Sequence, residues 1–173
     1  RDALGNTVTA FVGSVTVSIT AGTGTPGAVL SGTRTVAAVG GSATFSTLSI
    51  NKSGTNYTLT ATASGLPSGI SAPFTITAST VTQLVFTAQP VTTTAGVILS
   101  PVQVAAQDWL GNTVPGFTDA VTLTIGANPG GGTLGGATTV AAVAGVATFS
   151  TLSIDKSGTG YRLLATAGSL TQT

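Results

Sequence analysis

The chain has 173 residues and a net charge of +1, only 5% of its residues are charged, and 42% are hydrophobic. That hydrophobic fraction is sufficient for buried cores, so the sequence predicts a globular chain. The lack of any Lys/Arg cluster argues against binding to nucleic acids or anionic membranes, and the absence of Cys excludes disulfides and thiol chemistry.

The sequence repeats itself. Asp2–Val8 recurs as Asp108–Val114 with six of seven residues identical, and Thr35–Ala63 recurs as Thr139–Ala167 with 23 of 29 identical. A recurrence at a nearly fixed offset indicates a tandem array of one structural unit. Residues that this alignment matches are called equivalent below.

The alignment predicts two domains, residues 1–80 and 81–173, with a boundary near Ala78–Thr82. Nothing in the first copy matches residues 81–106, so the first domain is expected to lack its first strands. The second copy has no equivalent of Ser71–Thr77, so the second domain is expected to lack its last strand. We therefore expect a continuing array, or a subunit whose edges near Arg1 and Thr173 are completed by neighbouring protein.

In chain order, short segments alternate apolar and small polar residues, and Gly-, Pro- and Asn-rich turns separate them. This period of two predicts half-buried strands, and no segment has a helical period. The uneven spacing of Phe45, Leu48 and Ile50, repeated at equivalent positions, predicts a bulge or a change of sheet. The predicted core comprises Val15, Val17, Ile19, Phe45, Leu48, Ile50, Val121, Leu123, Ile125, Phe149, Leu152 and Ile154.

About seven short strands per roughly 100 residues is typical of an immunoglobulin-like sandwich. The motifs are Asp-x-x-Gly-Asn-x-Val, Gly145-Val-Ala-Thr-Phe149 and Gly158-Thr-Gly-Tyr-x-Leu-x-Ala-Thr166. In these motifs the chain resembles the bacterial Ig-like repeats of invasin/intimin-type surface proteins. The predicted fold is all-β: tandem, antiparallel, Greek-key Ig-like β-sandwiches without a disulfide. The resemblance implies extracellular stalks, adhesins and surface fibres.

Several polar residues suggest alternative sites. Asp2 and Asp108 could be calcium ligands, but each Asp-x-x-Gly-Asn turn has a single carboxylate, so a side-chain-stabilised turn is favoured over a metal. Lys52 beside Asn51, and Lys156 beside Asp155, would need a buried acid to crosslink, and the chain has no Glu. We therefore predict solvated loops there, and no metal or cofactor.

Two asparagines and three aromatic residues are further candidates. Asn51 and Asn56 both fit the N-glycosylation pattern. Trp109 is either a contact aromatic, for protein or sugar, or a residue that packs on its own or the next domain. Tyr57 and Tyr161 occupy equivalent positions and are predicted to be core or corner residues.

Catalysis is not expected, because the chain has no His, Cys or Glu and its four Asp residues lie in separate turns and loops. The function predicted is a structural repeat module at the bacterial cell surface that forms a filament or stalk through strand pairing and apolar contacts. The alternative is the stalk of an adhesin whose ligand-reading domain lies elsewhere.

The predicted partner is another copy of the chain, in a homopolymer, and glycans are a second class of predicted partner. Insertion into a membrane is not expected. The candidate interface strands are those that occur once: Gln83–Gln89 with Leu84, Val85 and Phe86; Val102–Ala106 with Val102 and Val104; and Phe74–Thr77 with Phe74 and Ile76.

Overall fold

The structure, a computed structural model, describes the backbone of residues 1–172 and the side chains of residues 1–171. Within that range the chain is all-β: it forms seventeen strands, all strand pairs are antiparallel, and no residue is helical. No helix that could cross a membrane occurs among the described residues. The predicted all-β, antiparallel class is therefore confirmed.

The chain divides into two compact units, Arg1–Thr77 and Ala78–Thr173. The strands of the first unit are β1 (Ser14–Ile19), β2 (Leu30–Ser31), β3 (Thr35–Ala37), β4 (Ser49–Ile50), β5 (Gly54–Tyr57), β6 (Leu59–Ala63), β7 (Gly69–Ile70) and β8 (Phe74–Ile76). Its main sheet has the order β3-β1-β6-β7, and two strand pairs, β2–β4 and β5–β8, accompany it.

The second unit contains β9 (Gln83–Ala88), β10 (Val102–Gln107), β11 (Ala120–Ala127), β12 (Leu134–Gly135), β13 (Thr139–Ala141), β14 (Val146–Phe149), β15 (Ser153–Ile154), β16 (Arg162–Ala167) and β17 (Leu170–Gln172). One sheet has the order β13-β11-β16-β17, a second has the order β14-β10-β9, and β12 pairs with β15. The first of these sheets has the same order as the main sheet of the first unit.

Strands β3, β1 and β6 of the first sheet share their register with β13, β11 and β16 of the second. The equivalent cross-strand pairs are Val15 opposite Val36 and Val121 opposite Val140. On the solvent side, equivalent threonine hydroxyls bond across the strands, Thr16 to Thr35 at 2.9 Å and Thr122 to Thr139 at 3.0 Å. Side chains alternate between the two faces of a strand, so the valines next to these threonines lie on the opposite face of the sheet.

The second unit has one apolar cluster to which both of its sheets contribute. Its fully buried members include Leu84 on β9, Val104 on β10, Phe149 on β14, Leu123 on β11 and Ala165 on β16. Of the predicted core residues in this unit, Val121, Leu123, Phe149 and Leu152 are buried, and Ile125 and Ile154 are half-buried. The predicted register is thus confirmed here.

The irregular spacing after Phe149 is a change of sheet. β14 ends at Phe149 and pairs with β10, whereas β15 begins at Ser153 and pairs with β12. Leu152 lies between these strands and is fully buried. The chain leaves one sheet and joins another within three residues, so the apolar spacing departs from two at this point.

Many apolar side chains of the first unit are less buried than their equivalents. Seven apolar side chains that are buried in the second unit are only half-buried in the first: Val15, Ala43, Phe45, Leu48, Leu59, Ala61 and Ala63. Of the predicted core residues in the first unit, only Val17 is buried. The reason is architectural, because the described part of this unit contains no strands equivalent to β9 and β10 over the same apolar face.

Asp108 organises the turn after β10. Its side chain accepts hydrogen bonds from the backbone N–H of Leu110 and Asn112 at 2.9 Å each, and from Ser79 N–H at 3.0 Å. The Asn112 amide group also donates to both of its oxygens, and Gly111 adopts a left-handed φ of 82°. This is the predicted side-chain-stabilised turn, built around a carboxylate that is only 1% exposed.

Burial by itself would raise the pKa of Asp108. The hydrogen bonds from the Asn112 side chain, from Ser79 N–H and from the turn outweigh burial, so the pKa lies below its ordinary value. Asp2 forms the same turn with Leu4 and Asn6, but it is exposed and no described residue takes the place of Ser79.

Replacing the buried carboxylate is expected to destabilise the second unit. Asp108→Asn places an NH₂ group among N–H donors, and we expect a loss of about 2–3 kcal/mol in its free energy of unfolding. The measurement is unfolding in urea, monitored by hydrogen exchange of the backbone amides. Asp2→Asn, which alters the equivalent exposed turn, is the matched control. Equal effects of the two substitutions would contradict this account.

A pH dependence follows from the lowered pKa of Asp108. A carboxylate whose pKa is lower in the folded than in the unfolded state stabilises the fold, and the whole of this stabilisation is present above its unfolded pKa of about 3.9. The stabilisation is lost as the pH falls through the folded pKa. We therefore expect the Tm of the second unit to fall below about pH 3.9, and to fall less steeply in Asp108→Asn. Parallel Tm curves for both proteins would show that another group controls the transition.

The difference in burial predicts unequal costs for one substitution in two places. Phe149→Ala removes a fully buried ring and should cost about 3–5 kcal/mol. Phe45→Ala removes the equivalent half-buried ring and should cost well under half of that. Native-state hydrogen exchange measures the free energy of unfolding of each unit separately. Equal losses for the two substitutions would mean that the first unit buries Phe45 as fully as the second buries Phe149.

Candidate functional site

In the first unit, β5 and β8 enclose a tyrosine. Tyr57 is fully buried, lies opposite Phe74, and stacks on its ring with 6.0 Å between centroids and an interplanar angle of 28°. The Tyr57 hydroxyl donates to the carbonyl of Lys52 at 2.9 Å. Gly24 lies against the ring, where a Cβ would overlap it, and its φ of 67° also favours glycine. The tyrosine is thus covered on several sides.

Ser71, which lies between β7 and β8, is bonded to β6. Ser71 N–H donates to the carbonyl of Leu59, and Ser71 Oγ accepts from Leu59 N–H, both at 2.9 Å. The segment Ser71–Ile76 therefore makes contact at two places, through a serine at one end and an aromatic residue three positions later.

In the second unit, the equivalent tyrosine is open. Tyr161 keeps the bond from its hydroxyl to the carbonyl of Lys156, at 3.1 Å, but it is only half-buried. No described strand pairs with Gly158–Tyr161, the segment equivalent to β5. The same local sequence therefore has a covering strand in one unit and none in the other.

A groove of about 450 Å³ lies beside Tyr161, within the size range of ligand-binding clefts. Its apolar lining includes Pro90, Val91, Leu99, Ile154 and Leu163. Leu163 is the equivalent of Leu59, the residue that Ser71 bonds in the first unit. The groove thus presents equivalents of both contact points used by Ser71–Ile76.

The lining of the groove carries little charge. Lys156 is its one charged lining residue, and the lining contains no carboxylate, His or Cys that could transfer a proton or act as a nucleophile. No group of three or more His, Cys, Asp or Glu residues that could hold a metal occurs in the described part of the chain. Beside its apolar residues, the lining carries the hydroxyl groups of Thr92, Thr93, Thr94 and Ser157.

The predicted interface strands already have partners inside their own units. β9 and β10 pair with each other; Leu84, Val102 and Val104 are fully buried, and Val85 and Phe86 are half-buried. Phe74 and Ile76 lie in β8, which pairs with β5. As they stand, these segments are therefore not unpaired strands. Thr173, at one of the edges predicted to be completed, lies outside the described residues.

Trp109 is 71% exposed and directly follows Asp108 in the turn. The neighbouring Leu110 is 42% exposed. The indole therefore does not cover the core of its own unit, and its role as a contact aromatic stays a prediction.

The two sequon asparagines have different environments. Asn51 Oδ1 accepts from Val29 N–H at 2.8 Å, and Asp155 makes the equivalent bond to Thr133. Asn56 is exposed and has a left-handed φ of 58°; its equivalent is Gly160, at 88°. A left-handed position favours Asn or Gly, so backbone geometry alone explains this exchange. Glycosylation at either position stays a prediction.

Lys52 and Lys156 both form hydrogen bonds within their own units. Lys52 Nζ donates to the carbonyl of Pro26 at 3.0 Å, and the backbone carbonyl of Lys156 accepts from the Tyr161 hydroxyl.

The sequence did not reveal the groove beside Tyr161. The one signal available in the sequence was that both copies have the tyrosine, whereas only the first has the Phe74 segment.

Comparison with known proteins adds no assignment. No family model matches the chain, and no significant match to a curated protein or a solved structure was found.

Proposed function

We propose that this chain is a structural repeat module of an extracellular bacterial surface protein. Its Ig-like β-sandwich repeats assemble into a filament or stalk through strand pairing and apolar contact. One observation carries the proposal: two equivalent sheets occur, and only that of the second unit shares its apolar cluster with a second sheet. The sheet of the first unit therefore presents a face that a strand pair of the β9–β10 type would cover.

The sandwich interpretation is supported by the arrangement of the second unit. Sheets β13-β11-β16-β17 and β14-β10-β9 contribute to one cluster, and together they contain seven strands. Seven antiparallel strands in two sheets is the Ig-like number. The motifs that resemble invasin/intimin-type repeats support an extracellular location, where a chain without Cys or Met has few oxidisable side chains.

The energetics favour covering the open face. Fully burying a Val, Leu or Phe side chain stabilises by about 1.5–3 kcal/mol relative to full exposure. Val15, Phe45 and Leu48 are half-buried, so each should gain roughly 1 kcal/mol on being covered. Together with the four further half-buried positions, this favours association with another β-segment over exposure to water.

The low charge of the chain supports assembly. Only 5% of the residues are charged, and the solvent side of each main sheet carries threonine pairs. Little electrostatic repulsion therefore opposes the approach of neighbouring repeats. Repetition of a head-to-tail contact produces an open filament. The partner is another copy or another repeat of the same kind, and the role is non-catalytic.

The second candidate function is the stalk of an adhesin that reads its ligand elsewhere. The exposed Trp109 beside Leu110 favours it, because exposed aromatics anchor protein and sugar contacts. Negative-stain microscopy distinguishes the two, since uniform fibres support the filament and isolated beaded rods support the adhesin stalk.

The proposed function is tested by covering the open face. Arg1 is equivalent to Gln107, so a copy of residues 78–106 is fused directly before Arg1. We expect the backbone amides of β1 and β6 to gain at least tenfold protection from hydrogen exchange, reaching that of β11 and β16. We also expect the parent chain to assemble through this face and the fusion to stay monomeric. Sedimentation velocity measures both.

The matched control carries Val104→Asp in the fused copy, which places a charge where a fully buried valine stands in the second unit. This version should leave the first unit as exchangeable as in the parent chain. A parent chain that stays monomeric at high concentration, with both units equally protected, would refute the proposal.

A further inference from the structure

We propose that the buried carboxylate of Asp108 clamps the segment that connects the two units, and that it thereby sets how much of this segment is free to move. The connecting segment comprises residues 77–82, between the end of β8 at Ile76 and the start of β9 at Gln83. The inference goes beyond the proposed function and does not rest on it, because it concerns the backbone within a single chain.

The connecting segment is anchored to the second unit at three places. Ser79 N–H donates to Oδ2 of Asp108 at 3.0 Å. Val81 packs against the apolar cluster of the second unit, and Thr82 N–H donates to the carbonyl of Gln107 at 2.9 Å. Asp108 thus supplies the first of these anchors in chain order, two residues before Val81.

The position of the first anchor decides how long the mobile part of the connecting segment is. Residues 77 and 78 lie between the last residue of β8 and Ser79, which Asp108 bonds. Without that bond the next anchor is Val81, and the mobile part extends over residues 77–80. Each residue has two soft backbone dihedrals, so loss of the bond doubles the number of mobile dihedrals from about four to about eight. Asp108 therefore halves the flexible link between the units.

The charge and burial of Asp108 make it a strong anchor. Hydrogen bonds to an ionised acceptor are about twice as strong as bonds between neutral groups. Asp108 is 1% exposed, and its other donors, the N–H groups of Leu110 and Asn112 and the Asn112 amide, lie within its own turn. Release of Ser79 would leave the Asn112 amide to satisfy Oδ2 among the described residues. A buried charge resists the loss of a donor, so the bond holds the connecting segment closed.

The test removes the donor and leaves the carboxylate in place. Proline has no N–H group, so Ser79→Pro deletes the bond to Asp108 while the aspartate turn keeps its own donors. Ser79→Ala keeps the N–H group and is the matched control. We expect the order parameter of the Thr80 amide, from spin relaxation, to be about 0.85 in the parent chain and in Ser79→Ala, the value of a rigid backbone. In Ser79→Pro it should fall below about 0.6, the value of a flexible one.

A second variant weakens the acceptor. Asp108→Asn replaces the charged acceptor with a neutral one, so Ser79 and Thr80 should both have lower order parameters than in the parent chain. Order parameters report motion within the folded state, so Val104 on β10 and Leu123 on β11 should keep their parent values in both variants. These two residues thus separate local release of the connecting segment from loosening of the whole unit.

The outcomes are independent of whether the chain forms filaments, because relaxation is measured on the monomer. Equal order parameters for Thr80 in all four proteins overturn the inference, since Val81 and Thr82 would then hold the segment by themselves. An equal fall in Ser79→Ala and Ser79→Pro also overturns it, because the serine side chain would then be the anchor. A fall that extends to Val104 and Leu123 overturns it too, since Asp108 would then act on the unit as a whole.

Discussion

Burial of one face of a four-stranded sheet by a second sheet is the constraint on which the rest of the structure depends. Two sheets with the same order occur in this chain and share the register of three strands, yet Phe149 is fully buried and its equivalent Phe45 is not. A sheet with one apolar face needs a partner layer. The presence of β9 and β10 therefore decides how identical side chains are solvated.

The polar groups are satisfied locally, and charge plays a minor part. Asp108 lies in the interior because three backbone N–H groups and the Asn112 amide bond it. The solvent faces of the sheets carry threonine pairs across strands. Buried carboxylates are tolerated only when bonded in this way. A surface with so few charges offers little electrostatic repulsion to neighbouring protein.

The two equivalent tyrosines show the same dependence at the edge of the fold. Tyr57 and Tyr161 anchor their hydroxyls alike, but only Tyr57 is covered, since β8 supplies Phe74.

The sequence by itself determined the all-β class, the strand register and the aspartate turns, because period-two alternation, β-branched residues and Asp-x-x-Gly-Asn spacing act over a few residues. It also indicated an irregularity after Phe149, which it could interpret only as a bulge or a change of sheet. The choice between these two, the difference in burial between the units and the groove were decided only by the tertiary structure. Phe45 and Phe149 lie in nearly identical local sequences, as do Tyr57 and Tyr161. What differs between them is contact with strands distant in the chain, and local pattern contains no information about that contact.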